Sequence, residues 1–181
     1  MKILVDADDV LEDLTQKWIT YLNEKYGTNA RYEEDYDWDL TKIFPELTRE
    51  QVYDAELDEE LWDRIEPLPG AVENVEKLLR DGHEIYIVTD TPYQIVKTKF
   101  EKVIFKYYPF LTWKNCIITS NKKMVKGDVL IDDGIHNLIG AEYGKILVSA
   151  PYNEAFDAEG NGMIRAHSWD EIYEVISDMC R

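Results

Sequence analysis

Cysteine is scarce in this chain: two residues in 181, Cys116 and Cys180, far apart and in no CxxC pair. That argues against a disulfide framework, and it makes a reducing cytosol the expected setting. Cys116 falls in the apolar run CII and reads as a small buried hydrophobe. Long apolar runs are also missing, so no segment is expected to span a bilayer, and with a strand-like run at the start no signal peptide is expected. Basic residues are few. Twenty Lys and Arg face 37 Asp and Glu, for a net charge of −17, which argues against a duplex nucleic-acid binder and an anionic membrane surface. A small anionic substrate stays open, because a divalent cation and a few lysines can reverse the sign locally. The three histidines, His83, His136 and His167, show no ligand spacing and read as structural or exposed. There is no internal repeat and no low-complexity stretch.

What is present begins at Lys2–Leu14, KILVDADDVLEDL. Ile3, Leu4 and Val5 form the continuous apolar run of a strand buried on both faces of a parallel sheet, and it runs straight into Asp6, Asp8 and Asp9. In open α/β sheets the working crevice lies beyond the carboxyl ends of the strands. Carboxylates placed there can hold a hard cation, and one of them can attack phosphorus. Leu14, Trp18, Tyr21, Leu22 and Tyr26 then recur at helical spacing up to Gly27. The acidic, aromatic run EEDYDWD reads as a solvated face. Thr48-Arg49-Glu50-Gln51 is a capping box opening a second helix, with Val52, Leu57, Leu61, Trp62 and Ile65 as its apolar members. With no strand pattern before Pro67, residues 13–67 read as a helical insert.

From Pro69 the pattern becomes βα alternation. Strands are expected at Glu84–Val88, Cys116–Ile118, Val129–Ile131 and Ile146–Val148, with a helix over Tyr93–Tyr107, a loop over Pro151–Met163 and a terminal helix over Trp169–Cys180. The expected fold is therefore α/β, a Rossmann-like parallel five-stranded sheet with helices on both faces. Its core is residues 1–12 and 68–181, and its cap the helical insert 13–67 after strand 1. Polar residues fall where strands end: Asp6/Asp8, Thr89, the Lys122/Lys123 loop and Asp132/Asp133. Each has an ordinary reading, as a cap, a surface charge or a turn. Together they fit phosphoryl transfer. A carboxylate nucleophile splits one hard displacement into two, and a cation shields the anionic nucleophile from the anionic substrate. A lysine and a threonine hold phosphate oxygens, and a second carboxylate moves protons.

Asp6-Ala7-Asp8, Thr89, Lys122 and Asp132-Asp133 resemble, in order, the four motifs of the haloacid-dehalogenase superfamily of phosphatases. More narrowly, Ile3–Leu14, Leu68–Ala71 (LPGA) and Ile118–Asp133 (ITSNKKMVKGDVLIDD) resemble the 5′(3′)-deoxyribonucleotidase family. The resemblance implies Asp6 as nucleophile and Asp8 as acid/base, with Thr89 and Lys122 as phosphate holders. It also implies a Mg²⁺ site from Asp6, the backbone carbonyl of Asp8 and one of Asp132 and Asp133. The implied activity is phosphate removal from (deoxy)nucleoside monophosphates, with a small phosphorylated molecule as partner, and a homodimer is left open. The chain departs from the family pattern at Asp9, commonly glycine, at Asp90, commonly serine, and at Asn121, commonly aspartate. Tyr36, Trp38 and Trp62 are candidates to hold a base. A phosphatase for another small phosphomonoester, such as a sugar phosphate, is the nearest alternative. A receiver-like signalling module and a silent binding protein on the same fold are alternatives of a different class.

Overall fold

A computed structural model describes residues 1–35 and 37–181 of the chain. β1 (Lys2–Val5) is the central strand, and Ile3, Leu4 and Val5 have no exposed surface. It pairs in parallel with β2 (Glu84–Thr89) on one side and β4 (Val129–Asp132) on the other, Ile3 opposite both Ile85 and Val129. β3 (Cys116–Ile118) extends the sheet beyond β2, and β5 (Gly144–Val148) and β6 (Ile164–Ala166) extend it beyond β4. The order β3-β2-β1-β4-β5-β6 is all parallel, so every carboxyl end faces the same edge. The sheet has six strands where five are expected from sequence. β6 has the sequence Ile-Arg-Ala, three residues at an edge with an exposed isoleucine, and a strand that short leaves no apolar run to read.

Helices cover both faces. α1 (Leu14–Tyr26), α2 (Tyr32–Asp35), α3 (Arg49–Tyr53) and α4 (Glu59–Arg64) lie between β1 and β2, with no strand among the described residues there. The capping box forms as expected: Thr48 Oγ1 accepts from Gln51 N at 3.2 Å and Gln51 Oε1 accepts from Thr48 N at 2.8 Å. The single helix expected after it does not. Asp58 caps a fresh helix by accepting from Glu60 N at 3.1 Å, and this break leaves Leu57 exposed. The insert leaves and rejoins the core side by side: Asp13 N donates to Glu66 O at 3.1 Å and Leu68 N to Leu11 O at 3.0 Å. α5 (Ala71–Arg80) follows, and after β2 a helical run begins at Val96, three residues later than Tyr93. In it α6 (Val96–Lys99) passes through a π segment, Phe100–Ile104, into α7 (Phe105–Tyr107). α8 (Ile135–Leu138) and α9 (Trp169–Met179) complete the chain. Among the described residues no helix is long and apolar enough to cross a membrane.

The turn after β1 is pinned from two sides. Tyr108 Oη donates to Leu11 O and Trp169 Nε1 to Val10 O, each at 2.7 Å. At its apex Asp9 has φ +56°, the left-handed region that favours glycine. Asp9 tolerates the conformation because its Oδ1 accepts from Thr15 N at 2.9 Å, at the first turn of α1. Asp9→Ala loses that bond and keeps the strain, so it is expected to destabilise the protein by about 1–2 kcal/mol more than Asp9→Gly, which relieves the strain. Urea midpoints of the two variants check this; equal values would mean that the conformation is not strained.

Candidate active site

The edge formed by the strand ends holds a cavity of about 220 Å³ lined by Asp6, Asp8, Asp9, Lys122, Asp132 and Asp133 from the core, and by Thr15, Trp38 and Leu40 from the insert. Asp6 follows β1 directly, and its backbone N–H continues the ladder to Ile131 O at 2.9 Å. Lys122 reaches it from the turn after β3. A single 3₁₀ turn, Lys122–Met124, buries Lys122 while Lys123 stays outside. Lys122 Nζ lies 2.6 Å from Asp6 Oδ2 and 2.8 Å from Asp132 Oδ2.

Asp132 is wholly buried and well supplied with donors. Its Oδ1 accepts from Gly134 N at 2.7 Å, and Asn137 Nδ2 reaches Oδ1 and Oδ2 at 3.1 and 3.2 Å. A Cβ at residue 134 would stand 2.9 Å from Asp132 Oδ1, so glycine is needed for this close approach. Asp133 is less covered, with Tyr152 Oη 3.2 Å from its Oδ2. Carboxylate oxygens of Asp6, Asp132 and Asp133 lie within 4.8 Å of one another.

Three carboxylates against one ammonium leave an excess of negative charge. Burial, opposed by Lys122 and reinforced by Asp132 and Asp8, pushes the Asp6 carboxyl up to about 7. Burial and then Asp9, Asp132 and Asp6 raise Asp133 well above its ordinary value. Burial works against the Lys122 ammonium, but Asp6 and Asp132 outweigh it and hold the proton more firmly. Oxygen donors crowded this closely, and this reluctant to ionise together, fit a hard divalent cation.

Asp8 belongs to a second, adjoining cluster that the sequence did not reveal. Lys99, at the end of α6, is buried and places Nζ 2.5 Å from Asp8 Oδ1 and 3.1 Å from Thr89 Oγ1. Its charge lies 5.8 Å from the ring centre of Trp62, which is buried. Trp62 therefore packs the interior and is not positioned to hold a base. Thr89 is buried at the end of β2, its hydroxyl 3.1 Å from that of Thr91. Burial alone would raise the Asp8 carboxyl, but Lys99 and a hydrogen bond from Glu12 override it and hold Asp8 below its usual range. In sequence Lys99 is one lysine in the stretch KTKFEK, and only the helical register turns it inward.

Glu12 is wholly buried, and neither of its carboxyl oxygens meets a donor. Burial, then the Asp8 charge, raise it well above the ordinary value, so it holds a proton more firmly than in the unfolded chain. Folding thus takes up a proton at Glu12. That contribution to stability is full below about pH 4.5 and is lost as pH rises towards the raised value, at no more than about 1.4 kcal/mol per pH unit. In metal-free buffer, Glu12→Gln is expected to gain on the wild type as pH climbs from 5 to 8. A gap in thermal midpoint that does not change with pH would show that Glu12 ionises normally.

Trp38 is exposed at the mouth of the cavity, its ring centre 5.1 Å from that of His136 in an edge-on arrangement, so His136 links insert and core. Tyr36 lies outside the described residues.

The chain matches, over residues 1–180, the family described as 5′ nucleotidase, deoxy (Pyrimidine), cytosolic type C protein. It is 34% identical over 172 residues to a 5′(3′)-deoxyribonucleotidase of Bacillus subtilis (strain 168), covering 94% of this chain and 95% of that protein. It is 25% identical over 194 residues to the mitochondrial 5′(3′)-deoxyribonucleotidase of Homo sapiens, covering 100% of this chain and 84% of that protein. Among solved structures, a haloacid-dehalogenase family hydrolase from Deinococcus radiodurans, with bound phosphate and sodium, superposes with a TM-score of 0.66 at 12% identity, covering 98% of this chain and 95% of that one. A haloacid dehalogenase-like protein from Streptococcus pneumoniae gives 0.66 at 15%, covering 97% of each chain. At those identities the structures speak for the fold alone, while the family match runs almost end to end. The chain has a haloacid-dehalogenase-like fold, is a phosphoric monoester hydrolase, and belongs to the deoxy-5′-nucleotidase type C family.

Proposed function

We propose that the protein is a Mg²⁺-dependent phosphatase of (deoxy)nucleoside monophosphates that works through an aspartyl-phosphate on Asp6. The observation that carries this reading is the buried Lys122 ammonium 2.6 Å from Asp6 Oδ2, beside Asp132 and Asp133, at the carboxyl edge of the sheet. Asp6 attacks phosphorus, forming an acyl-phosphate bond as the ester P–O bond breaks. Asp8 gives its proton to the leaving oxygen, then takes one from the water that cleaves the acyl phosphate and restores the Asp6 carboxylate. Lys122 and Thr89 are the phosphate holders. Asp6, the backbone carbonyl of Asp8 and Asp133 would hold the cation. Asp133 is favoured over Asp132 because the latter's oxygens are already taken by Lys122, Asn137 and Gly134. When bound, Mg²⁺ supplies charge neutralisation for nucleophile and phosphate. Lys99 holds Asp8 below its usual range, so the acid is charged at rest, and the incoming phosphate dianion is what raises it into donating form.

Residues 13–67 are assigned as the cap over a core of residues 1–12 and 68–181. Support comes from the side-by-side ends of the insert near Asp8 and from Thr15, Trp38 and Leu40 in the cavity wall. Trp38 offers an exposed aromatic face for a base. The free thiols Cys116 and Cys180 fit a cytosolic setting.

Phosphate release over a panel of phosphomonoesters with Mg²⁺ tests the substrate class. Preference for nucleoside monophosphates is the expected result. Preference for a sugar phosphate would replace the nucleotide assignment and leave the chemistry of Asp6 standing.

A further inference from the structure

Asp133 stands in a bend immediately after β4, its carboxylate oxygens within 4.8 Å of those of Asp6 and Asp132, a crowding of like groups that does not hold itself together. Something must hold it there. The loop after β5 does so from behind. Tyr152 Oη makes a short contact to the Asp133 backbone carbonyl and reaches its Oδ2 at 3.2 Å. Asn153 is buried, and its Nδ2 donates both to the same carbonyl at 3.0 Å and to Val148 O at 2.8 Å, tying the ends of β4 and β5 together. The orientation of that amide is fixed in turn. Asn153 Oδ1 accepts from Ala150 N at 3.1 Å and from Arg165 Nη1 at 3.0 Å, while Arg165 Nη2 donates to Asn153 O at 3.0 Å and Phe156 O at 2.8 Å. All four hydrogen-bonding positions of the Asn153 side chain are used, so it has no freedom to turn. Arg165 lies on β6, the short edge strand.

We propose that Tyr152 and Asn153 are positioning residues that set the cation affinity of the site by holding Asp133 in place, with Arg165 locking Asn153. The proposal rests on Asp133 as a cation ligand. Partners that orient a ligand are typically worth about 10–100-fold in metal affinity. Direct calorimetric titration with Mg²⁺, in the absence of substrate, of Tyr152→Phe, Asn153→Ala and Asp133→Asn tests it, alongside kcat as a function of Mg²⁺. Tyr152→Phe and Asn153→Ala are expected to bind Mg²⁺ about tenfold or more weakly and to regain near wild-type kcat at saturating Mg²⁺. A purely structural role would lower kcat at every Mg²⁺ concentration and leave the affinity alone. Asp133→Asn is expected to lose Mg²⁺ binding. If it does, and both other variants bind Mg²⁺ within about twofold of wild type, positioning is refuted while the cation reading stands. Unaltered binding by Asp133→Asn would overturn the ligand assignment and the positioning role with it. Should Asn153→Ala fail to fold, Tyr152→Phe, which removes one hydroxyl, decides alone.

Discussion

Asp6→Asn is expected to abolish turnover while leaving the fold at least as stable as before. The substitution keeps the size of the side chain and removes the anionic oxygen that attacks phosphorus. Loss of a nucleophile that acts together with its supporting groups costs about 10⁵-fold or more in kcat. The stability half of the expectation comes from the charge balance. The Asp6 carboxyl is raised to about 7 because burial and the Asp132 and Asp8 charges together outweigh the help from Lys122. Its folded form therefore binds a proton more readily than the unfolded chain does, and the stability tied to that proton is lost as pH rises from about 4 to about 7. A neutral amide avoids the loss, and Lys122 keeps Asp132 at 2.8 Å as its counter-charge. Kinetics and thermal melts at pH 7.5 without metal read both halves. A folded Asp6→Asn enzyme turning over at a rate near wild type would remove Asp6 from the role of nucleophile.

Removal of divalent cations is expected to have a smaller but still large effect on rate and an opposite effect on stability. With Asp6, Asp132 and Asp133 grouped within 4.8 Å and a net charge of −17, a phosphate dianion meets a field of its own sign. A bound cation is worth several kcal/mol of charge stabilisation, so a chelator should lower activity by about 10³-fold or more, and Mg²⁺ should restore it. The cation also binds the folded state alone. At about a hundred times its dissociation constant it adds about 2.7 kcal/mol of stability, visible as a raised melting temperature. Because proton and cation compete for Asp6 and Asp133, the Mg²⁺-induced rise should grow between pH 6 and pH 8. Full activity in metal-free buffer would contradict this.

The parts of the molecule that could be read from sequence are those in which one-dimensional pattern and three-dimensional burial coincide. Ile3–Val5 is a continuous apolar run because β1 is covered on both faces, and the acidic residues after it mark the edge where strands end. Asp6, Lys122, Asp132 and Asp133 could be picked out for the same reason, since each sits at or just past a strand end. Residues whose role depends on inward-turned register could not. Lys99 is unremarkable among neighbouring lysines until α6 buries it against Asp8 and Thr89. Glu12 reads as one more acid in a solvated turn, yet it has no exposed surface. Arg165 breaks the apolar pattern of β6 because its guanidinium is spent on Asn153 in the loop after β5, so the sixth strand leaves no strand signal in the sequence. Between β1 and β2, the helix opened at Thr48 tightens into a 3₁₀ turn over Asp54–Leu57 and stops there, because Asp58 starts a new helix by a cap whose strength depends on local geometry.

The central claim, a covalent bond between Asp6 and phosphorus, is open to direct capture. Wild type, Asp8→Asn and Asp6→Asn are mixed with an aryl phosphate radiolabelled in its phosphoryl group in Mg²⁺ and quenched in acid within milliseconds to seconds. One half is counted for protein-bound label. The other is reduced with borohydride, which releases the phosphate and leaves an alcohol on the attacking side chain, before peptide mapping. Asp8→Asn keeps the nucleophile and lacks the group that deprotonates water, so general-base loss of about 10²–10⁴-fold should make the intermediate accumulate. The expected result is acid-stable label on the unreduced protein and, in the reduced half, an alcohol at Asp6 in the Lys2–Leu14 segment, both in Asp8→Asn above wild type and neither in Asp6→Asn. Label on any other residue, or rapid phosphate release by Asp8→Asn with no labelled protein at any time, would contradict it.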